Sequence, residues 1–438
     1  MTVRVQIGHL ADLHIGATRW RIQEVAEDVR EALEESFEIL EREHVKTVLI
    51  SGDIFDEPSP GNTHVIWAIN FFRRLVRDKE FEIVVIPGDH DVPGGRDETA
   101  VDLLYAALSD ITGGRFISPP TIYKWNGWRS LNDLVVKVGG SPGAIVAALP
   151  YVREFRDQRQ KTYRTLLNKL KALLQGVHGP KILMAHFGLE GFTHPHDATL
   201  QPQDIPGVFD YAAMGHIHKF IIDTSQSEAV IAYPNSLVPL ALSETRSRER
   251  GPLIVDLSGD APHVQQIRLT RQRVHHVLES DIYSLPENLR KALMGTPRHG
   301  EKKPIVHVIL QVGETIPAGK KLPKLIDELE ETFNVIIRIA KRKRVTSQRG
   351  AIVLDMEKNA TPREVEIAVL KSLLKKSGEH ADKVAELLLQ LKEAVLNLQG
   401  QDLERGVDRI AEELLKPEYA SYLGLKPDKR STLEGWLG

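Results

Sequence analysis

Five times between residues 3 and 218 a short apolar run ends in a cluster of aspartate, histidine and glycine. The runs are residues 3–10, 45–50, 81–86, 181–185 and 211–214. The clusters are Asp12-Leu-His14, Gly52-Asp53-Ile-Phe-Asp56, Gly88-Asp89-His90-Asp91, Ala185-His186 and Gly215-His216-Ile-His218. Between several of the runs lie longer amphipathic stretches, so the chain reads as strands alternating with helices. The clearest stretch, residues 22–43, sets Val25, Val29, Leu33, Phe37 and Leu40 on one stripe; residues 151–177 predict a second helix, rich in Arg and Lys. Such alternation predicts an α/β layered fold. In sheets of this kind sites form just outside the carboxyl ends of the strands, which is where each cluster falls.

Residues 229–233, 252–257 and 264–269 read as further strands. Near residue 280 the character changes. Residues 304–312, 321–333 and 334–340 predict strand, helix and strand, a small βαβ unit. Lys341-Arg-Lys-Arg-Val and a polar Thr-Ser-Gln-Arg-Gly segment follow as an exposed edge or linker. After Pro362 the pattern is helical. Val365, Ala368, Leu370 and Leu373 start one stripe; Val384, Leu387, Leu388, Leu391 and Val395 form a second; Val407, Ile410, Leu414 and Leu415 form a third, stopped by Pro417. A chain of 438 residues holds two or three domains, here expected at 1–278, 279–345 and 346–438.

The net charge of −3 excludes a uniformly basic polyanion binder, so contact with nucleic acid has to come from local patches. The absence of cysteine excludes disulfides, zinc–thiolate sites, iron–sulfur clusters and a cysteine nucleophile. A metal must therefore be held by carboxylate and imidazole. The first residues show no secretory pattern and no apolar run reaches the ~18 residues a membrane helix needs; a cytoplasmic protein is expected.

Hydrolysis of a phosphodiester at neutral pH needs a strong nucleophile and neutralisation of charge in the transition state. Two divalent ions about 3.5–4 Å apart supply both. They require a bridging carboxylate, further carboxylates and several neutral imidazoles, and such mixed ligation suits manganese or iron(II). The five clusters hold that inventory. Their succession, Asp-x-His, Gly-Asp-x-x-Asp, Gly-x-His-Asp, a lone His and Gly-His-x-His, resembles the calcineurin-like metallophosphoesterases. The fuller strings Leu10-Ala-Asp-Leu-His-Ile-Gly16, Ser51-Gly-Asp-Ile-Phe-Asp56, Met214-Gly-His-Ile-His218 and Tyr233-Pro-Asn-Ser-Leu237 resemble one branch, the SbcD-type DNA double-strand-break repair nucleases related to the meiotic-recombination nuclease.

The resemblance implies a four-layer metallophosphoesterase sandwich at 1–278, a small α+β DNA-binding cap at 279–345 and a C-terminal helical ATPase-binding region at 346–438. It implies that Asp12, His14 and His218 hold one metal, that Asp89, His186 and His216 hold the other, and that Asp53 bridges, with two manganese ions as cofactor. His90 would stand beside the scissile phosphate and Asp91 would fix its tautomer. The implied activity is 3′-to-5′ exonuclease action on duplex ends and endonuclease action on single strands. The implied partners are DNA, an SMC-like ABC ATPase of the SbcC kind gripped by the C-terminal helices, and a second copy of the chain meeting at residues 60–77, where Ile66, Ile69, Phe72 and Leu75 share a stripe. That stripe could equally pack on the sheet, and the C-terminal helices could equally pack on each other.

The family has Asn where this chain has Asp89. An ionised carboxylate can ligate metal but cannot donate a hydrogen bond to phosphate and repels it, so reduced turnover is expected. Asp56 is a second variable position, His in some relatives. His9 reads as a packed histidine. His64, His194 and His196 read as loop or helix-start residues. The basic runs 268–273 and 341–344 read as a solvated face or as holders of backbone phosphate, and Trp125 and Trp128 as loop packing or base stacking. A phosphoesterase of small phosphodiesters or nucleotides, and a catalytically weak scaffold bridging DNA ends, stay open as alternatives; the extra domains argue against the first and Asp89 motivates the second.

Overall fold

The computed structural model describes residues 4–20, 22–93, 99–119, 131–140, 143–154, 156–281, 283–296, 302–312, 321–343, 367, 370, 379–397, 400–416 and 419. Trp125, Trp128, Arg344, Pro417 and, except for Leu370, the stripe beginning at Val365 lie outside them. Met1–Lys343 and Arg344–Gly438 are two compact units.

In the first unit, β1 (Gln6–Leu10), α1 (Glu24–Arg42), β2 (Thr47–Ser51), α2 (Asn62–Asp78), β3 (Glu82–Ile86), α3 (Ala100–Leu108) and β4 (Phe116–Ile117) open one sheet. A second is built from β5 (Val135–Val138), β6 (Ala144–Leu149), α4 (Arg156–Leu174), β7 (Lys181–His186), the short pair β8 (Gly188–Leu189) and β9 (Ala198–Leu200), β10 (Tyr211–Gly215), β11 (Phe220–Asp223) and β12 (Val230–Pro234). β13 (Leu253–Asp256) and β14 (His263–Gln266) return to the first. The sheet orders are β14-β13-β1-β2-β3-β4 and β11-β12-β10-β7-β6-β5. β1 to β4 run parallel, as do β6, β7, β10 and β12, and the antiparallel strands lie at the edges.

The strands are apolar on both faces because both faces are covered. In β3, Ile83 and Val85 point into one core while Val84 and Ile86 point into another, the period-two alternation of a strand. Between the sheets Ile7, Leu49, Met184 and Tyr211 pack together. Outside the first sheet lie Leu33 and Phe37 of α1, Phe72 of α2 and Leu104 of α3. Outside the second lie Tyr163, Leu166 and Leu170 of α4. The order helix, sheet, sheet, helix is the expected four-layer α/β sandwich. All five residues of the α1 stripe are buried. On α2, Phe72 and Leu75 pack inward, whereas Ile66 is 58% exposed.

Past β14 come β15 (His275–Ser280), α5 (Leu285–Leu293), β16 (Ile305–Val312), α6 (Lys321–Phe333) and β17 (Ile336–Lys343). The three strands are parallel and have their own core of Leu285, Leu289, Val306, Val308, Leu329 and Ile337. This βαβαβ layer begins one strand and one helix before the βαβ unit read from the sequence. The run 268–273 joins it to α1: Glu35 accepts from Thr270 Oγ1 at 2.6 Å and from the Arg271 backbone N–H at 3.0 Å, Arg271 pairs with Glu38, and Arg273 and Lys302 pair with the buried Asp28 at 2.5 and 3.2 Å. Arg268 pairs with Glu249. Its arginines are thus engaged with acids of the protein itself, a third role beside the solvated face and the phosphate holder.

In the second unit α7 (Glu379–Asn397) and α8 (Gly400–Leu414) pack stripe against stripe, Val384, Leu387, Leu388 and Leu391 meeting Ile410 and Leu414. Among the described residues no helix is long and apolar enough to cross a membrane.

Candidate metal centre

The five clusters converge because the two sheets face each other with their parallel strands ending at one rim. Asp12 and His14 follow β1, Asp53 follows β2, and Asp89 and His90 follow β3. His186 closes β7, and His216 and His218 follow β10. Backbone bonds tie the loops together: Asp12 N–H donates to Gly52 O at 3.0 Å, His14 N–H to Asp53 O at 2.9 Å, and Ser51 Oγ to Ala213 O across the sheets at 2.9 Å. The tight turns put Asp12, His14, Asp53 and His216 at φ of 54°, 49°, 51° and 90°, a region that costs a non-glycine residue on the order of 1–3 kcal/mol. Two glycines make room. A Cβ on Gly88 would lie 2.1 Å from Asp53 Oδ1, and one on Gly52, itself at φ +88°, would lie 2.1 Å from His186 Nδ1.

Two groups of donors face each other here, and a third, His14 with Asp56 and His90, shares His14 with the first. Asp12, His14, Asp53 and His218 each offer an atom within 4.8 Å of the others, and Asp89, His186 and His216 do the same. Asp53 stands between them, Oδ2 lying 3.5 Å from His14 Nε2 and Oδ1 lying 3.4 Å from His186 Nε2. The donors suit a divalent cation in type and in placement. Asp12 Oδ2 is buried with no hydrogen-bond partner, an oxygen that a cation would satisfy. His186 Nδ1 donates to Ser51 O at 2.8 Å, which turns Nε2 toward the centre and its carboxylates. Burial opposes the charge on Asp89, but His186 and His216 hold its carboxyl well below the usual carboxylate range; each sits 2.9 Å from Asp89 Oδ1.

His90 borders the first group through His14, its ring centroid 4.7 Å away. Its Nδ1 donates to the Asp56 carbonyl at 2.7 Å, leaving Nε2 free. The expected tautomer role of Asp91 is therefore corrected. The Asp91 carboxylate accepts from the backbone N–H groups of Gly88, Ile54 and Phe55 at 2.8, 3.0 and 2.8 Å. It clamps the loops after β2 and β3 to each other, and neither oxygen is bonded to His90. Burial and the Asp53 charge raise its pKa to about 7. Asp56 has two further links. Its Oδ1 lies 3.2 Å from His14 Nδ1, and Arg19 holds the carboxylate with both terminal nitrogens. Burial works against ionisation, yet His14 and Arg19 lower the Asp56 pKa to about 2.

His9 is buried with Nδ1 2.8 Å from Tyr211 Oη, packed as expected. His64 approaches Arg30 at 3.4 Å, and His194 and His196 stack on each other in the loop between β8 and β9; none of these is in either donor group. Sequence reasoning passed over Glu244, whose Oε1 lies 3.1 Å from His218 Nδ1, and the fully buried Arg250 behind it.

A family model, calcineurin-like phosphoesterase, matches residues 5–220. The DNA double-strand break repair protein Mre11 of Aeropyrum pernix is 31% identical over 321 residues, 71% of this chain and 74% of that protein. Its namesake in Sulfurisphaera tokodaii is 28% identical, covering 76% and 78%. One of the subunits of the nuclease SbcCD in Staphylococcus epidermidis is 24% identical, covering 58% and 67%.

Proposed function

The chain belongs to the calcineurin-like phosphoesterases, in the family of the DNA double-strand break repair protein Mre11, and we propose from its site that it cuts DNA with two manganese ions. It is a metal-dependent nuclease of double-strand break repair. The observation that carries the metal reading is the pair of donor groups with Asp53, a member of the first, reaching His186 of the second. Asp12, His14 and His218 would hold one ion and Asp89, His186 and His216 the other. Bound there, two cations would supply a hydroxide nucleophile and neutralise charge on the phosphate. His90 keeps its Nδ1 proton on Asp56 O; as an imidazolium it would carry a second proton on Nε2 and give that one to the leaving oxygen. Asp91 would support this by fixing the loop that carries His90.

The proposed substrates are duplex ends, cut 3′ to 5′, and single strands, cut internally. Manganese-dependent degradation of labelled duplex DNA, compared with turnover of a small chromogenic phosphodiester, tests the reading. Preference for the small ester would favour a small-substrate enzyme, and DNA binding without cleavage a scaffold.

We assign residues 1–278 to catalysis, 279–345 to a DNA-binding cap and 346–438 to gripping an SMC-like ABC ATPase in the cytoplasm. Because the inward stripes of α7 and α8 cover each other, the ATPase would meet their outer faces. Retention of the ATPase by a chain ending at residue 345 would overturn this. Exposed Ile66 on α2 supports pairing with a second copy, which sedimentation of Ile66→Glu checks: a monomer is expected.

A further inference from the structure

The loop after β12 carries a buried arginine that nothing in the metal chemistry uses. Arg250 is fully buried. Its Nη1 shares its two N–H groups among Asn235 Oδ1 at 3.0 Å, Ser236 O and Oγ at 2.7 Å and Val238 O at 3.2 Å, while Nη2 donates to the Glu244 carbonyl at 3.0 Å. Five acceptors, four on residues 235–238 and one on Glu244, are thereby gathered around one guanidinium. The Glu244 backbone is tied to this cage through its carbonyl, and the Glu244 side chain reaches the donor groups. One carboxylate oxygen, Oε2, accepts the Leu240 N–H at 2.9 Å; the other, Oε1, lies 3.1 Å from His218 Nδ1. The His218 ring then presents Nε2, 3.1 Å from His14 Nε2, where the first group converges.

We propose that Glu244, held by the Arg250 cage, is a positioning residue for His218: it fixes the Nδ1–H tautomer and the ring plane, and it tunes the affinity of the Asp12–His14–Asp53–His218 group alone. The inference rests on the assignment of that group to a metal. A carboxylate behind a ligating imidazole raises its basicity and fixes its orientation, and loss of such a partner commonly costs about 10–100-fold in metal affinity. Among the described contacts Glu244 touches no member of the other group, where His186 is oriented by Ser51 O and His216 faces Asp89.

The test is titration of the full-length metal-free protein with Mn2+, the free ion counted by electron paramagnetic resonance, for the native chain, Glu244→Gln and Glu244→Leu. Two ions are expected on the native chain. Glu244→Leu weakens one of them by about 10–100-fold and leaves the other unchanged, and Glu244→Gln, which keeps an acceptor without the charge, falls between. A native chain that takes up no Mn2+ sinks the metal reading itself. Two ions bound by the native chain, with both affinities unchanged or equally weakened in Glu244→Leu, overturn the positioning role alone. Thermal melting of the metal-free variants is the control: the Gln variant is expected to melt with the native chain, and if the Leu variant does not fold, the Gln variant decides.

Discussion

At the scale of single residues the centre depends on charge and on room. Asp89 Oδ1 sits 2.9 Å from both His186 and His216, so it would face the same cation as they do and add a negative charge beside the phosphate. Asp89→Asn removes that charge and restores a donor. We expect kcat on labelled DNA with Mn2+ to rise by about 3–10-fold, which is roughly 1 kcal/mol of barrier; a slower Asn variant contradicts this. Gly88 makes the opposite point. A Cβ there would meet Asp53 Oδ1 at 2.1 Å and Asp53 N at 2.4 Å, and Asp53 touches both groups. Gly88→Ala should therefore weaken both Mn2+ ions together, in contrast to Glu244→Leu, and the same titration reads the difference. The seven proposed ligands could be found in the sequence because each follows an apolar run by one to four residues. Glu244 and Arg250 could not. Glu244 reaches His218 from 26 residues away, and Arg250 acts only through Glu244 and the loop that carries it. Asp91 stood in the right cluster, but its bonds go to backbone N–H groups, which no side-chain pattern records.

At the scale of elements, legibility followed burial. β2, β3, β7 and β10 are covered on both faces and announce themselves as unbroken apolar runs. β6 is equally buried, but its sequence Ala-Ile-Val-Ala-Ala-Leu is half alanine and lacks the β-branched density that marks a strand. β15, at the edge of its sheet, begins with two histidines, and α5 spans only nine residues, so the start of the βαβαβ layer was missed. The connection from β14 to that layer shows what a basic run can be for. Asp28 on α1 is 5% exposed and meets Arg273 and Lys302, whose side chains are 7% and 15% exposed. Breaking a buried pair leaves a charge uncompensated, at a cost of about 3–5 kcal/mol. Asp28→Ala is expected to lower the urea midpoint accordingly, and a midpoint within experimental scatter of the native one refutes the anchoring role.

At the scale of the whole molecule, histidines outside the metal groups link stability to pH. Burial pushes His9 and His275 down to about 3 and His307 down to about 4. His307, Arg273, Arg250 and His276 deepen the shift of His275, and Arg338 that of His307. Their folded values lie below the ordinary 6.5, so the unfolded chain takes up these protons first. The stability they contribute is complete above about 6.5 and is lost as pH falls toward 4 and then 3. Urea midpoints at pH 7 and pH 5 check this: a drop is expected for the native chain and a smaller one for His307→Gln, whereas equal drops would exclude His307 as a source. Asp12, His14, Asp53 and His216 impose a different limit, on which descendants the molecule can have. At positive φ the tolerated newcomers are glycine and asparagine. A single base change turns an Asp codon into either one, and a His codon into asparagine. Mutation can therefore silence this centre in steps that the backbone welcomes. A lineage freed from cutting DNA would be expected to keep the sandwich intact, and even gain stability, as its ligands disappear.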